Sequence, residues 1–177
     1  EKIKHFVSKD ALNIDGFGKK IVEKFWELKK IKFPQDIFNL DFDKIKELDG
    51  WGNLSVSNLK YAIEKSKKIS LDRFIFSLGI RHIGQENAKL LAQHLKNFEN
   101  FYKLSKTEDV KNLLNIDGIG ETQIKSIRAF FANKININIL KKLREKMKIF
   151  NSASVKKNGI LKNKTFMFTG KLKEMSR

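Results

Sequence analysis

The chain has 177 residues, and 41% of them are hydrophobic, which is enough to supply the core of one domain. Its 37 Lys and Arg outnumber its 20 Asp and Glu, and the resulting net charge of +17 favours a polyanionic partner, nucleic acid ahead of an anionic membrane. Cysteine is absent, which excludes disulfides and thiolate metal sites, and the longest apolar stretch, around 74–80, is too short to span a bilayer. Because Lys, Ile, Asn and Phe are also abundant together in proteins of AT-rich genomes, charge alone does not decide the partner.

Short helices are predicted where a capping residue or the only proline precedes an apolar segment. They are 9–12 after Ser8, 35–40 after Pro34, 42–48 after Asp41, 71–78 after Ser70, and 110–114 after the capping-box segment 105–108. Longer helices are predicted where apolar residues recur at helical spacing, at 21–28, 59–63, 88–95, 124–131 and 137–147. The pattern is that of an all-α fold in which a short helix followed by a long one recurs four times.

A five-residue phrase stands between each short helix and the long helix that follows it. The copies are Ile-Asp-Gly-Phe-Gly at 14–18, Leu-Asp-Gly-Trp-Gly at 48–52, Ile-Arg-His-Ile-Gly at 80–84 and Ile-Asp-Gly-Ile-Gly at 116–120. Their third positions lie 34, 32 and 36 residues apart, which indicates a repeat array. Eight of the ten glycines fall inside or beside these copies, which are called hairpins 1 to 4 below.

The phrase predicts a site for phosphate. A helix N-terminus presents unpaired backbone N–H groups and the positive end of the helix dipole. Glycine at the third and fifth positions lets a phosphate approach those groups, and apolar residues at the first and fourth positions fix the turn to both helices. Such a cradle holds the backbone of a nucleic acid without reading its bases.

Each hairpin contributes candidate ligands from its turn and from the first turns of its second helix. The candidate DNA-binding residues are Gly16, Gly18, Lys19 and Lys20 in hairpin 1; Gly50, Gly52, Ser55 and Ser57 in hairpin 2; Arg81, His82, Gly84, Asn87 and Lys89 in hairpin 3; and Gly118, Gly120, Thr122, Gln123 and Lys125 in hairpin 4. The alternative is that the glycines only cap helices.

Hairpin 3 departs from the pattern, because His82 stands where the other copies have glycine. This hairpin is therefore either structural or uses Arg81 as its phosphate ligand. No partner carboxylate or nucleophile lies at a recognisable spacing from His82, which disfavours a pH switch or a catalytic base. His5 and His94 form no ligand cluster with it, so no metal site is expected.

The pattern changes after the last long helix. Residues 149–163 are polar and Lys-rich and predict a linker after a helical domain at 1–148. Residues 165–170, Thr-Phe-Met-Phe-Thr-Gly, predict a β-strand that ends at a glycine turn. Since one strand does not make a domain, 164–177 are interpreted as the first fragment of another domain.

The four phrases resemble the helix-hairpin-helix motif, and their arrangement resembles the bacterial NAD-dependent DNA ligases. Residues 5–16 are similar to the entry to that family's first hairpin, and 78–84 are similar to its third, including the irregular histidine. Residues 164–172 resemble the first strand and turn of the BRCT domain that ends these ligases. The resemblance covers nearly the whole chain.

The resemblance implies a module that grips double-stranded, nicked DNA from the minor-groove side. Two pairs of hairpins would face the two strands and match the approximate dyad of the duplex. Family members seal nicks in replication and repair through an adenylated lysine, with NAD as the AMP donor, Mg²⁺ and a structural zinc. They act in the bacterial cytoplasm, and the partners implied are DNA and the other ligase domains, with the chain itself monomeric.

The chain lacks the family's catalytic parts. The Lys-x-Asp-Gly motif of the nucleophile is absent, because Asn13 and Asn115 stand where lysine is required and Lys46 lies one residue too far from its Asp-Gly pair. The four cysteines of the zinc module are also absent. We therefore expect no cofactor, metal or catalytic residue in this segment, which should be inactive alone.

Two alternatives remain from the residues themselves. Tandem hairpins also occur in other repair or recombination proteins, so the chain could be the DNA-binding module of such a protein instead of a ligase. A helical protein-interaction module, in which the glycines only shape corners, would show little affinity for DNA.

Overall fold

The computed structural model describes residues 1–106 and 108–151. Nine α-helices and two 3₁₀ helices account for most of this part of the chain, which confirms the predicted all-α class. The α-helices are α1 Lys2–Val7, α2 Lys19–Glu27, α3 Phe42–Lys46, α4 Asn53–Ser66, α5 Leu71–Ser77, α6 Gln85–Leu95, α7 Phe98–Lys103, α8 Glu121–Ala132 and α9 Lys134–Lys146. The 3₁₀ helices are Pro34–Asn39 and Glu108–Asn115, and the strands are β1 Lys68–Ser70 and β2 Lys148–Phe150.

The four hairpins pair α1 with α2, α3 with α4, α5 with α6, and the Glu108–Asn115 helix with α8. The short helix of hairpin 1 is α1, so the helix predicted over 9–12 is wrong. Ser8 is the C-cap of α1, with extended backbone, and the residues after it form turns closed by the bonds from Ala11 N and Asn13 N to the Ser8 carbonyl, at 3.0 and 2.8 Å. The segment predicted as a helix over 110–114 is 3₁₀ rather than α.

Three elements are absent from the sequence-based prediction. Helix α7 begins after Asn97, whose side chain accepts a hydrogen bond from Asn100 N. Strands β1 and β2 pair in parallel, with Ile69 opposite Ile149. Strand β2 occupies 148–150, where the helical domain was predicted to give way to a linker. The predicted strand over 165–170 and the rest of 152–177 lie outside the described residues.

The core runs through the middle of the chain, where α5 packs against α6. Phe74 and Ile75 of α5 and Leu91 of α6 are fully buried, and each such side chain contributes about 1.5–3 kcal/mol of transfer free energy. Three hydrogen bonds, made by two side chains, tie α5 to the start of the chain. The His5 Nε2 atom lies 2.7 Å from the Phe76 carbonyl, and Arg73 donates to the carbonyls of Lys9 and Ala11 at 2.9 and 3.0 Å. Hairpins 1 and 3 therefore belong to one packed body.

Among the described helices, none has the length and apolar character needed to cross a membrane.

Candidate nucleic-acid interface

The four glycine phrases fold into the same turn. In each, the amide of the fourth position donates to the carbonyl of the first, at 3.1, 3.0, 3.1 and 3.0 Å in hairpins 1 to 4. The third position has positive φ in every copy: +76° at Gly16, +81° at Gly50, +61° at His82 and +89° at Gly118. These are the features of a type II turn, which requires a left-handed residue at this position. His82 thus adopts the glycine conformation, and hairpin 3 keeps the turn that its sequence obscures.

The fifth-position glycines are the N-caps of the second helices. The carbonyls of Gly18, Gly52, Gly84 and Gly120 accept the first bond of α2, α4, α6 and α8, at 3.1, 3.1, 2.9 and 3.1 Å. Their φ values lie between −69° and −112°, which any residue adopts. A Cβ added at Gly18, Gly52 or Gly84 would meet no atom of the described residues within 4 Å. In that part of the chain, neither backbone strain nor packing explains glycine at these three positions.

The apolar positions of the phrase fix each turn onto the core. The first and fourth positions are buried in hairpins 1 and 3, and at least partly buried in hairpins 2 and 4. In hairpin 2 the Trp51 ring packs on Phe25 of α2, with centroids 5.5 Å apart. The third and fifth positions are exposed in all four copies. Each turn therefore has an anchored side and a bare side, as predicted.

The hairpins associate in two pairs. In the first pair, Lys24 of α2 donates to the Asp49 carbonyl of the second turn at 3.0 Å, and the turns of hairpins 1 and 2 border one groove. In the second pair, Ser126 Oγ of α8 lies 3.1 Å from His82 Nδ1 in the turn of hairpin 3. Leu90 of α6 lies against Gly118, where a Cβ would be 3.0 Å from its Cδ1 atom.

The second pair has an approximate two-fold relation. Leu90 and Ser126 each lie six residues after the fifth-position glycine of their own hairpin, and each contacts the third position of the other hairpin. Lys24 also lies six residues after Gly18 and reaches the turn of hairpin 2. In the second pair each turn is thus held by a contact from the long helix of the other hairpin, and in the first pair Lys24 makes such a contact with the turn of hairpin 2.

The structure leaves none of the predicted site residues buried, and all are exposed except Asn87 and Gln123, which are half-buried. Within 1–106 and 108–151, no ion pair forms at the cations of the predicted site, which are Lys19, Lys20, Arg81, Lys89 and Lys125. Their charge is therefore available to an external anion. These cations belong to hairpins 1, 3 and 4, whereas the predicted residues of hairpin 2 carry no positive charge.

Besides His82, three of the predicted ligands have side-chain partners inside the chain. Ser55 Oγ accepts from Gly52 N at 3.0 Å, and Gln123 Oε1 accepts from Gly120 N at 3.1 Å. Asn87 Nδ2 donates to the His82 carbonyl at 3.2 Å. Ser55 and Gln123 thus cap the helix starts and leave the amides of the following residues facing outward.

Sequence reasoning missed Lys24, Leu90 and Ser126, which set how the hairpins meet. Their common offset from the fifth-position glycine is the signal that could have found them. Within the described residues, no group of three His, Cys, Asp or Glu could hold a metal ion.

The repeated turn and its bare N-caps define the chain as a helix-hairpin-helix protein. A family model described as "Helix-hairpin-helix motif" matches residues 73–140, which include hairpins 3 and 4.

Proteins named DNA ligase match the whole chain. The relative from Pelagibacter ubique (strain HTCC1062) is 62% identical over 177 residues, which are all of this chain and 26% of the relative. Those from Wolbachia pipientis subsp. Culex pipiens (strain wPip) and Ehrlichia chaffeensis (strain ATCC CRL-10679 / Arkansas) are 45% and 44% identical, and the chain covers 28% and 27% of them. The chain spans about a quarter of the length of these relatives. These matches over the whole chain confirm its resemblance to a C-terminal helix-hairpin-helix segment of DNA ligases.

Proposed function

We propose that this chain is the sequence-independent module by which an NAD-dependent DNA ligase holds double-stranded DNA by its backbone, from the minor-groove side, during nick sealing. The observation that carries the proposal is the open space beside Gly18, Gly52 and Gly84. Within the described residues neither backbone strain nor a contact requires glycine there, and serine, asparagine or aspartate would cap a helix at least as well. The requirement for glycine is therefore assigned to a ligand that approaches the backbone closely.

A phosphate fits the chemistry of these turns. The first amides of a helix lack intrahelical partners, and the helix dipole favours an anion at that end. Hairpin 1 adds Lys19 and Lys20 directly after its cap, and hairpin 4 adds Lys125. The bare turns carry no array of side chains suited to base edges, so contact with sugar and phosphate positions the duplex without selecting sequence.

The pairing of the hairpins supports a duplex rather than a single strand. Two turns related by an approximate two-fold axis can contact two strands that are themselves related by a dyad. A helical protein-interaction module has no need of bare, unpaired cations beside open N-caps. The match to DNA ligases over the whole of this chain favours a ligase over another repair or recombination protein.

The residues present do not fit the parent family's metal and nucleotide chemistry. The chain has no cysteine for a zinc module, and no lysine stands two residues before Asp-Gly for adenylation. We propose that other domains of a cytoplasmic ligase hold NAD, Mg²⁺ and zinc. This chain then contributes only the binding of double-stranded DNA. No step of catalysis passes through its side chains.

The salt dependence of duplex binding tests the proposal. Fluorescence anisotropy with a nicked and an intact 30-base-pair duplex, each in two unrelated sequences, would give the association constant between 50 and 200 mM salt. If about six phosphates are engaged, affinity should fall by roughly three decades over this range and be equal for the two sequences. Absence of duplex binding at 50 mM salt would exclude the proposal and favour a protein-interaction module.

The ligase context has its own test. In the Pelagibacter ubique ligase, the matching segment would be replaced by this chain. Nick sealing by the chimera should be retained, and it should fall when Gly18 and Gly52 are both changed to Val. If the chimera seals nicks equally well with these glycines changed, the hairpins do not contribute to ligation.

A further inference from the structure

The unusual residue of hairpin 3 lies at the contact between two hairpins. His82 has φ of +61°, and this conformation is strained for a residue with a side chain. Its ring is directed at hairpin 4, where Nδ1 lies 3.1 Å from Ser126 Oγ. Glycine would make the turn without strain, so the histidine side chain must contribute something that glycine lacks.

The hydrogen-bond directions around Ser126 fix the role of the ring. Ser126 Oγ donates its one hydrogen to the Thr122 carbonyl at 3.0 Å. The same oxygen must therefore accept from His82, so Nδ1 carries the proton. In the neutral ring, Nε2 is then an acceptor, which does not bind a phosphate oxygen. The chain His82–Ser126–Thr122 ends in the first turn of α8, beside the amides of hairpin 4.

We propose that His82 is a positioning residue that holds hairpins 3 and 4 at the separation at which both contact one duplex, and that it is not itself a phosphate ligand. This inference rests on the proposed function. The reciprocal contact of Leu90 with Gly118 supports it, because a two-fold pair needs a contact from each side to fix its geometry. At the turn of hairpin 4 the third position is Gly118, and Leu90 of hairpin 3 packs against it. At the turn of hairpin 3 the third position is His82, and its own side chain makes the hydrogen bond to Ser126 of hairpin 4.

Two substitutions remove the bond from opposite ends. His82→Gly removes the ring and relieves the backbone strain, and Ser126→Ala removes the hydroxyl from α8. We expect each to weaken duplex binding by about five- to tenfold, as one cradle of the pair loses its phosphate. The double variant should be no weaker than either single variant, because both remove the same bond. Ser126→Thr, which keeps the hydroxyl, should restore binding.

The salt slope and a direct distance measurement identify the mechanism. In His82→Gly and Ser126→Ala, the slope of log K against log salt should shrink by about one phosphate contact. The chain has no cysteine, so Gln93→Cys and Ala129→Cys place spin labels uniquely on exposed positions of α6 and α8. In the absence of DNA, their distance distribution should broaden when Ser126 is changed to Ala.

Several outcomes would overturn the inference. Weaker binding by His82→Gly with unchanged binding by Ser126→Ala would show that His82 contacts DNA directly. Unchanged binding by both, or an unchanged label distance in Ser126→Ala, would remove the positioning role. Gly18→Val distinguishes failure of this inference from failure of the proposed function. If Gly18→Val abolishes salt-dependent duplex binding while His82→Gly and Ser126→Ala bind normally, the inference fails and the proposed function stands. If the unmodified chain shows no such binding, both fail.

Discussion

The substitution Gly18→Val separates binding from folding at a single cradle. Gly18 has φ of −69° and ψ of 173°, which valine adopts readily, and an added Cβ would meet nothing within 4 Å among residues 1–106 and 108–151. The cost to stability is that of a poor N-cap residue, about 1 kcal/mol. The valine methyl groups would stand in front of the first amides of α2, where the proposed phosphate lies.

The expected loss of affinity follows from the bonds removed. A hydrogen bond to a charged group contributes about 1.5–3 kcal/mol, so losing one at this cradle should weaken duplex binding by about tenfold to a hundredfold. Anisotropy at 100 mM salt measures the loss, and the salt slope should fall by about one phosphate contact. Circular dichroism would show that helical content is retained.

Gly79→Ala is the matched control. Gly79 has φ of +61°, and a Cβ there would lie 3.3 Å from the His5 ring, so alanine should destabilise the fold by about 1–2 kcal/mol. Gly79 precedes hairpin 3 and belongs to no cradle, so the folded variant should bind duplex normally. A folded Gly18→Val variant that binds as tightly as the unmodified chain would refute the cradle in hairpin 1.

Three further predictions concern what holds the hairpins in place. Arg144 donates to Glu99 at 2.8 and 3.2 Å and holds the pKa of that carboxyl below its ordinary 4.5, so the bond stabilises the fold above pH 4.5 and is lost as the pH falls through the lowered pKa. Glu99→Gln should therefore lower the free energy of unfolding in urea by less than about 1 kcal/mol at pH 7, and equal stabilities at pH 7 would contradict this. Arg73→Met, which leaves two carbonyls without their donor, should cost about 1–3 kcal/mol in the same assay, with Arg73→Lys as the milder comparison. Asn97→Ala should cost about 1 kcal/mol through loss of the α7 cap, whereas Asn97→Asp should cost little.

The turns could be predicted from the sequence because their signal is local. Glycine at a left-handed position and apolar residues on either side specify a type II turn within five residues, and Gly16, Gly50 and Gly118 behave accordingly. The N-cap Asp41 was also predicted correctly, because its side chain accepts from Lys44 N within the same helix turn. Local rules were sufficient for these turns and for this cap, although helix α7 was missed despite the equally local cap at Asn97.

The errors arose where the deciding contact is distant or ambiguous. Ser8 can cap either end of a helix, and only the packing of α1 shows that it ends one. The three-residue strands β1 and β2 pair across 80 positions, from Lys68 to Lys148, and carry no periodic signal of their own. The role of His82 depends on Ser126, 44 residues away. Such contacts follow from the tertiary arrangement, which no local pattern specifies.

The number of hairpins follows from the energetics of the proposed grip. One cradle offers a few kcal/mol, which is less than the estimated 4–15 kcal/mol of translational and rotational freedom lost on association. Four cradles held in one body lose that freedom once, and each further contact then adds to affinity as an intramolecular event. Rigidity between the pairs is therefore part of the site. Arg73 of α5, bound to the carbonyls of Lys9 and Ala11, joins hairpin 3 to hairpin 1, so Arg73→Met should weaken duplex binding as well as stability although it touches no cradle.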